Sequence, residues 1–211
     1  MVSRWLIYIK IWICVLIFKK NWRVLLYGIG LIPALYLLWQ GQTGRLGADP
    51  VNVFERALGL WAFRFLLVCF ALSPLQVVSG MALKRYQRLT GLLAFIYAIL
   101  HLGAYLFLDL QMNFSIFARD VTHRPFIILG MLAVLILLPM ALTSNRLSMR
   151  LLKKKWKKIH SLIYVAVPLV LAHFYLSFKV FNKTIFFYLF ITSVVVFLRF
   201  ILTGFPRKQS F

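Results

Sequence analysis

Residues 156–179 read WKKIHSLIYVAVPLVLAHFYLSFK, a basic collar followed by an apolar run with a histidine near each end. A bilayer core about 30 Å thick is crossed by roughly 20 helical residues. Ile159 to Phe178 supplies that length with His160 and His173 as its only acidic or basic side chains. Imidazole in hydrocarbon is costly unless it is hydrogen-bonded or bound to a metal, so both histidines need a chemical reason. A third, His101, lies in another apolar run, LAFIYAILHLGAYLFL at 93–108.

The rest of the chain has the same character, 63% apolar and 14% charged, with a mean hydropathy of +0.88. Soluble domains are about half apolar, so the expected fold class is all-α, a polytopic membrane helical bundle. A net charge of +21 would suit nucleic acid in a soluble protein. Here the lysines and arginines fall between apolar runs and read as topology signals, so the bilayer, and no nucleic acid, is the expected partner of these surfaces. Cys14 and Cys69 both sit in apolar runs, which points to neither a disulfide framework nor zinc, and without a Cys-x-x-Cys-His motif any haem is held non-covalently.

Six transmembrane helices are expected, over about 22–39, 57–78, 89–108, 125–142, 159–178 and 184–202. They make up a membrane domain over 21–203, with a short tail at 204–211. Residues 1–20 carry Arg4, Lys10, Lys19 and Lys20 around a run too short to span comfortably. That segment reads as an N-terminal interfacial or re-entrant helix, with a tilted extra span as the alternative. The stretches 41–56 (GQTGRLGADPVNVFER) and 109–124 read as loops.

Alternate loops divide the charge unequally. The N-terminal segment, the loops after spans two and four, and the tail hold 17 of the 25 basic residues, and the opposite side holds all four acids. The basic side is therefore expected to be cytoplasmic, with both termini there and the chain in the cell inner membrane. The KKKWKK run at 153–158 reads as a positive-inside anchor. Asp49, Glu55, Asp109 and Asp120 face the other way and are candidates for steering a partner of complementary charge.

Depth relates the histidines to one another. Spans three and five cross in the same direction, and His101 lies about 18 Å from the start of its span where His173 lies about 21 Å from the start of its own. Two imidazoles at one level on facing helices suit the two axial positions of a b-type haem, and the alternative is a pair of histidines each satisfied by a neighbouring carbonyl or hydroxyl. His160 lies about 19.5 Å below His173 along one helix and cannot share that iron. It is read as a ligand to a possible second haem, a flavin or quinone contact, or an interfacial cap. Gln87 and Arg88 stand at its level on span three, and Arg88 joins the cofactor-binding candidates. Arg64 lies deep in span two, as a cofactor contact or as a snorkelling side chain. His123, beside Arg124, reads as a solvated loop residue.

These residues resemble a known family. LGADP at 46–50, RLTGLLAFIYAILHLGAYLFLD at 88–109, RPFIILG at 124–130, LTS at 142–144 and KWKKIHSLIYVAVPLVLAHFYLSFK at 155–179 resemble the haem-binding membrane subunit of the periplasmic methionine sulfoxide reductase system. This is the MsrQ family, within the ferric-reductase-like transmembrane group. The resemblance runs over about 21–203, and residues 1–18 read as an extension beyond it. It implies that His101, His160 and His173 are the haem-associated histidines. It also implies haem b and FMN as cofactors, although no FMN motif is legible. The implied role is transfer of electrons from the quinone pool to a periplasmic molybdenum-cofactor methionine sulfoxide reductase, which is the catalytic subunit. The wider group pairs two histidines on each of two helices, and Gln87 and Arg88 replace the fourth. Two other readings stand beside this one: a stand-alone ferric or flavin-linked transmembrane reductase, and a transporter with a histidine-lined site.

Overall fold

The computed structural model describes residues 22, 24–178 and 183–203. The segment expected to form an interfacial helix and the tail at 204–211 lie outside the described residues. What is described is all-α: a polytopic bundle with six helices long and apolar enough to cross a membrane. Its perimeter carries exposed Val24, Leu35, Phe186 and Phe197, the surface expected of a protein solvated by lipid.

The first span, α1, covers Val24–Gln42. It is fastened by a tyrosine from the third. Tyr97, fully buried, donates its hydroxyl to Gly30 O at 2.9 Å and accepts from Ala34 N at 3.0 Å. These are the two groups that one helical hydrogen bond would join, so the hydroxyl is inserted into the α1 ladder beside Pro33. A Cβ on Gly30 would come within 2.4 Å of the Leu93 side chain, which would have to shift to admit it.

The second span, α2, runs Pro50–Ser79 and begins several residues before the expected start at 57. Polar Asn52, Glu55 and Arg56 lower the local hydropathy, but Asp49 caps Asn52 N at 3.1 Å and Pro50 occupies the first turn, so the helix starts there. A short tight turn, Leu83–Tyr86, leads into α3, Gln87–Ala104, which continues as a wide turn over Tyr105–Asp109. The stretch read as a loop at 109–124 contains a helix, α4, Phe114–His123, capped by the Asn113 side chain. The fourth span, α5, occupies Pro125–Leu142.

The basic loop that follows is also helical in part, as α6, Arg146–Leu152, and α7, Lys154–Ser161. The fifth span is then completed by α8, Ile163–Leu176, and the sixth span is α9, Lys183–Thr203. The fifth span tightens at Leu162, where Leu162 N bonds Ile159 O, and Pro168 lies inside α8.

α3 packs along α2 and α8 along α5, and α3 meets α5 between the two pairs. A core of Leu66, Phe70, Ala94, Leu137, Ala166 and Val167 fills the basic half of the junction. The other half holds a cavity.

Candidate functional site

That cavity, of about 650 Å³, is lined from α2, α3, α5 and α8, and both His101 and His173 reach it. The two histidines are held in the same way by different helices. His101 Nδ1 donates to Glu55 O of α2 at 2.9 Å. One turn further along α2, a Cβ on Gly59 would lie 3.1 Å from the ring. His173 Nδ1 donates to Phe126 O of α5 at 2.6 Å. One turn further along α5, a Cβ on Gly130 would lie 2.8 Å from that ring. Each imidazole therefore rests in a cradle made of a carbonyl and, four residues on, a glycine.

This cradle decides the tautomer. A carbonyl oxygen can only accept, so Nδ1 carries the proton in both rings and Nε2 keeps its lone pair for a metal. The ring centroids are 6.1 Å apart with their planes at 72°. Two iron–nitrogen bonds of about 2 Å, plus roughly 1.1 Å from each nitrogen to its ring centre, put centroids about 6 Å apart, so the pair fits the axial positions of one haem. Among the described residues no group of three or more His, Cys, Asp or Glu gathers to hold a bare metal ion. A porphyrin, which brings four nitrogens of its own, needs only the two that are here.

The other expected site residues lie elsewhere. His160 sits on α7, with Nδ1 donating to Trp156 O of its own helix at 3.1 Å and its ring stacked on Trp156 at 3.9 Å. Its Nε2 is 3.4 Å from Ser144 Oγ, whose proton goes to Met140 O. Gln87 is engaged in tying α3 to α2, its amide donating to Cys69 O at 3.3 Å. Arg88 is exposed on the first turn of α3. Arg64 is absent from the cavity lining. Its Nε donates to the Tyr188 hydroxyl of α9 at 2.7 Å, and its guanidinium lies 4.6 Å over Trp61. His123, on the last turn of α4, is exposed and bonds Arg119 O at 2.9 Å.

Sequence reasoning passed over the cradles, although a signal was there: ERALG at 55–59 and FIILG at 126–130 both place a glycine four residues after the accepting carbonyl. It also passed over Arg56 and Arg124, read as loop cations, which line the cavity. Arg199, inside α9, was another omission; its Nε donates to the Tyr164 hydroxyl at 3.1 Å, and a terminal nitrogen bonds Phe70 O. Of the four acids, Asp49 and Asp109 are exposed, Glu55 is half-buried and Asp120 is buried, so they are unequally available to a partner. Asp49 caps α2, Glu55 and Asp109 line the cavity, and Asp120 is 3% exposed.

A smaller cavity of about 400 Å³ lies between α1 and α2, lined by Ile32, Pro33, Tyr36, Leu37, Gln40 and Trp61. It has no cation for the phosphate of an FMN. These residues do not fit that group, and no step is assigned to a flavin.

Comparison with known proteins gives the same frame. The family model described as "Ferric reductase like transmembrane component" matches residues 58–171, from within α2 to within α8. A protein of Brucella anthropi named "Protein-methionine-sulfoxide reductase heme-binding subunit MsrQ" is 45% identical over 160 residues, 75% of this chain and 73% of that one. Proteins of the same name from Brucella ovis and Brucella suis are 44% identical over the same shares. With that identity over most of both chains and a family match over more than half of this one, the chain belongs to the MsrQ family of ferric-reductase-like transmembrane proteins.

Proposed function

We propose that this chain is the haem b-bearing electron-transfer subunit of a protein-methionine-sulfoxide reductase system, with His101 and His173 as the axial ligands. The observation that carries the reading is the pair of rings 6.1 Å apart, each with Nδ1 committed to a neighbouring helix carbonyl. Haem supplies a one-electron ferric–ferrous couple, and the protein sets its environment through ligands and burial. The chain's own work is positional. The two carbonyls orient the imidazoles, the glycines let the rings sit against the helix backbones, and Phe63, Leu66, Ala94 and Leu137 keep water from the cavity's apolar part.

In this reading electrons come from the quinone pool and leave to a periplasmic molybdenum-cofactor methionine sulfoxide reductase that repairs oxidised proteins. The relatives' names support a link to methionine sulfoxide reduction, and the quinone donor and periplasmic acceptor are what the family resemblance implies. The charge asymmetry supports an inner-membrane chain whose Asp49 end is periplasmic and whose KKKWKK end is cytoplasmic. His160, on the cytoplasmic side of this arrangement, serves a separate role from the pair. FMN, implied by the resemblance, takes no part in the reading.

The decisive experiment is a dithionite-minus-air difference spectrum of the purified protein with pyridine haemochrome quantitation. Reducible low-spin haem b bands are expected, and a purified protein without a Soret band would sink the reading in favour of a transporter. A C-terminal alkaline phosphatase fusion tests the orientation, and activity of that fusion would reverse it.

A further inference from the structure

The cavity shared by His101 and His173 has two unlike ends. One is a floor of Leu66, Ala94 and Leu137, apolar and buried or nearly so. The other is a mouth where Arg56 and Arg124 are the lining cations among the described residues, beside Asn52, Glu55 and Asp109. Arg56 donates to Ser177 O at 3.5 Å and lies 5.3 Å over Phe178.

Arg124 is held more closely. Its backbone is fixed between the end of α4 and Pro125, in the extended conformation that a following proline imposes. Its Nε pairs with Asp120 Oδ1 at 3.1 Å. Asp120 Oδ2 in turn accepts the Tyr105 hydroxyl at 2.6 Å. Tyr105 stands one turn beyond His101, where the helix widens and Leu110 N reaches back to Tyr105 O at 2.9 Å; such widened turns recur at functional sites. With Nε occupied, the two terminal nitrogens of Arg124 make no hydrogen bond among the described residues. A guanidinium presented in this way offers a planar fork, and a carboxylate is the group that matches it.

We propose that Arg124, positioned by Asp120 and Tyr105, clamps a carboxylate of the bound cofactor at the cavity mouth, with Arg56 as the second cation. The inference rests on the haem reading. Haem b bears its two propionates on one edge and apolar substituents on the others, so an apolar floor and a cationic mouth dictate which edge enters first. Glu55 and Asp109 make the mouth one of mixed charge. Exposed Asp109 repels an arriving propionate, so neutralising it acts in the opposite sense to removing Arg124.

The test loads the full-length protein with iron protoporphyrin IX or with its dimethyl ester, in which both propionates are uncharged. Loss of each form to excess apomyoglobin is then timed. Arg124→Leu is expected to release the acid form about tenfold faster, the equivalent of one charge-assisted hydrogen bond. Tyr105→Phe is expected to give an increase of about threefold, and Asp109→Asn to slow release, while wild type and all three variants release the ester at one rate. General damage to the fold would speed loss of both forms alike, so the ester separates a clamp from a structural role. Wild-type release of the acid form from Arg124→Leu, or equal acceleration of acid and ester, overturns the clamp and leaves the haem reading standing. A wild-type protein that takes up neither form overturns both.

Discussion

The two halves of the bundle treat histidine differently. In the half holding the cavity, His101 and His173 each donate to a carbonyl of a neighbouring helix and lie over a glycine of that helix. In the basic half, His160 donates to a carbonyl of its own helix and stacks on its own Trp156. The residue type is the same, and only the first arrangement brings two rings to one cavity. What separates the two kinds of intramembrane histidine is the helix each leans on.

The largest expected effect breaks the pair itself. His101→Ala or His173→Ala should abolish the low-spin haem spectrum, because either change leaves one face of the iron open, whereas His160→Ala should preserve it. Loss of the low-spin centre in His160→Ala with survival in His101→Ala would invert the comparison. The cradles come next. Gly130→Ala places a Cβ 2.8 Å from the His173 ring and Gly59→Ala one 3.1 Å from His101. Haem content on purification should therefore fall at least about twofold for the first and less for the second, since the closer contact demands the larger displacement. Equal content in both variants and wild type would mean that the glycines do not set the ring positions.

A smaller effect is expected where packing alone is at stake. Tyr97→Phe removes both hydrogen bonds to the α1 backbone. It should cost about 1–2 kcal/mol of stability to thermal or detergent unfolding, with the haem spectrum unchanged. The smallest effect is expected at Arg64, which is held by Tyr188 and Trp61. Arg64→Leu should lower stability by about 1 kcal/mol and leave the low-spin signal in place. A loss of haem there would place Arg64 in the site despite its absence from the cavity wall.

The spans were largely legible in the sequence, because crossing hydrocarbon imposes length and hydropathy and little else. α5 begins at Pro125 and ends at Leu142, where apolar length placed it. Counting residues from span ends put His101 and His173 at one depth, and their rings do meet across one cavity. Hydropathy was blind where capping chemistry governs. Asp49 and Asn113 start helices at polar positions, so the first turns of α2 and the whole of α4 were read as loop. The charges were harder still. Asp120 looked available to a partner, yet it is consumed by Tyr105 and Arg124 within the protein, a pairing between two loops' worth of sequence that no local pattern announces.

One spacing has a consequence for how such a protein arises. The hydrogen bond from His101 reaches back 46 residues to Glu55, and that from His173 reaches back 47 to Phe126. In each case a helix entering from the acid-bearing side supplies carbonyl and glycine, and the returning span supplies the imidazole. α2 with α3 and α5 with α8 are thus the same hairpin device used twice, with scarcely any shared letters beyond the two Leu-Gly pairs and the histidines. A paired-histidine cavity of this kind does not require a four-helix ancestor: one short gene encoding a two-helix hairpin, pairing with its own copy, already contains the carbonyl, the glycine and the imidazole. Fusion of two such copies would then free each half to diverge, one toward the arginine-bearing α4 edge and the other toward the basic collar, without disturbing the centre they share.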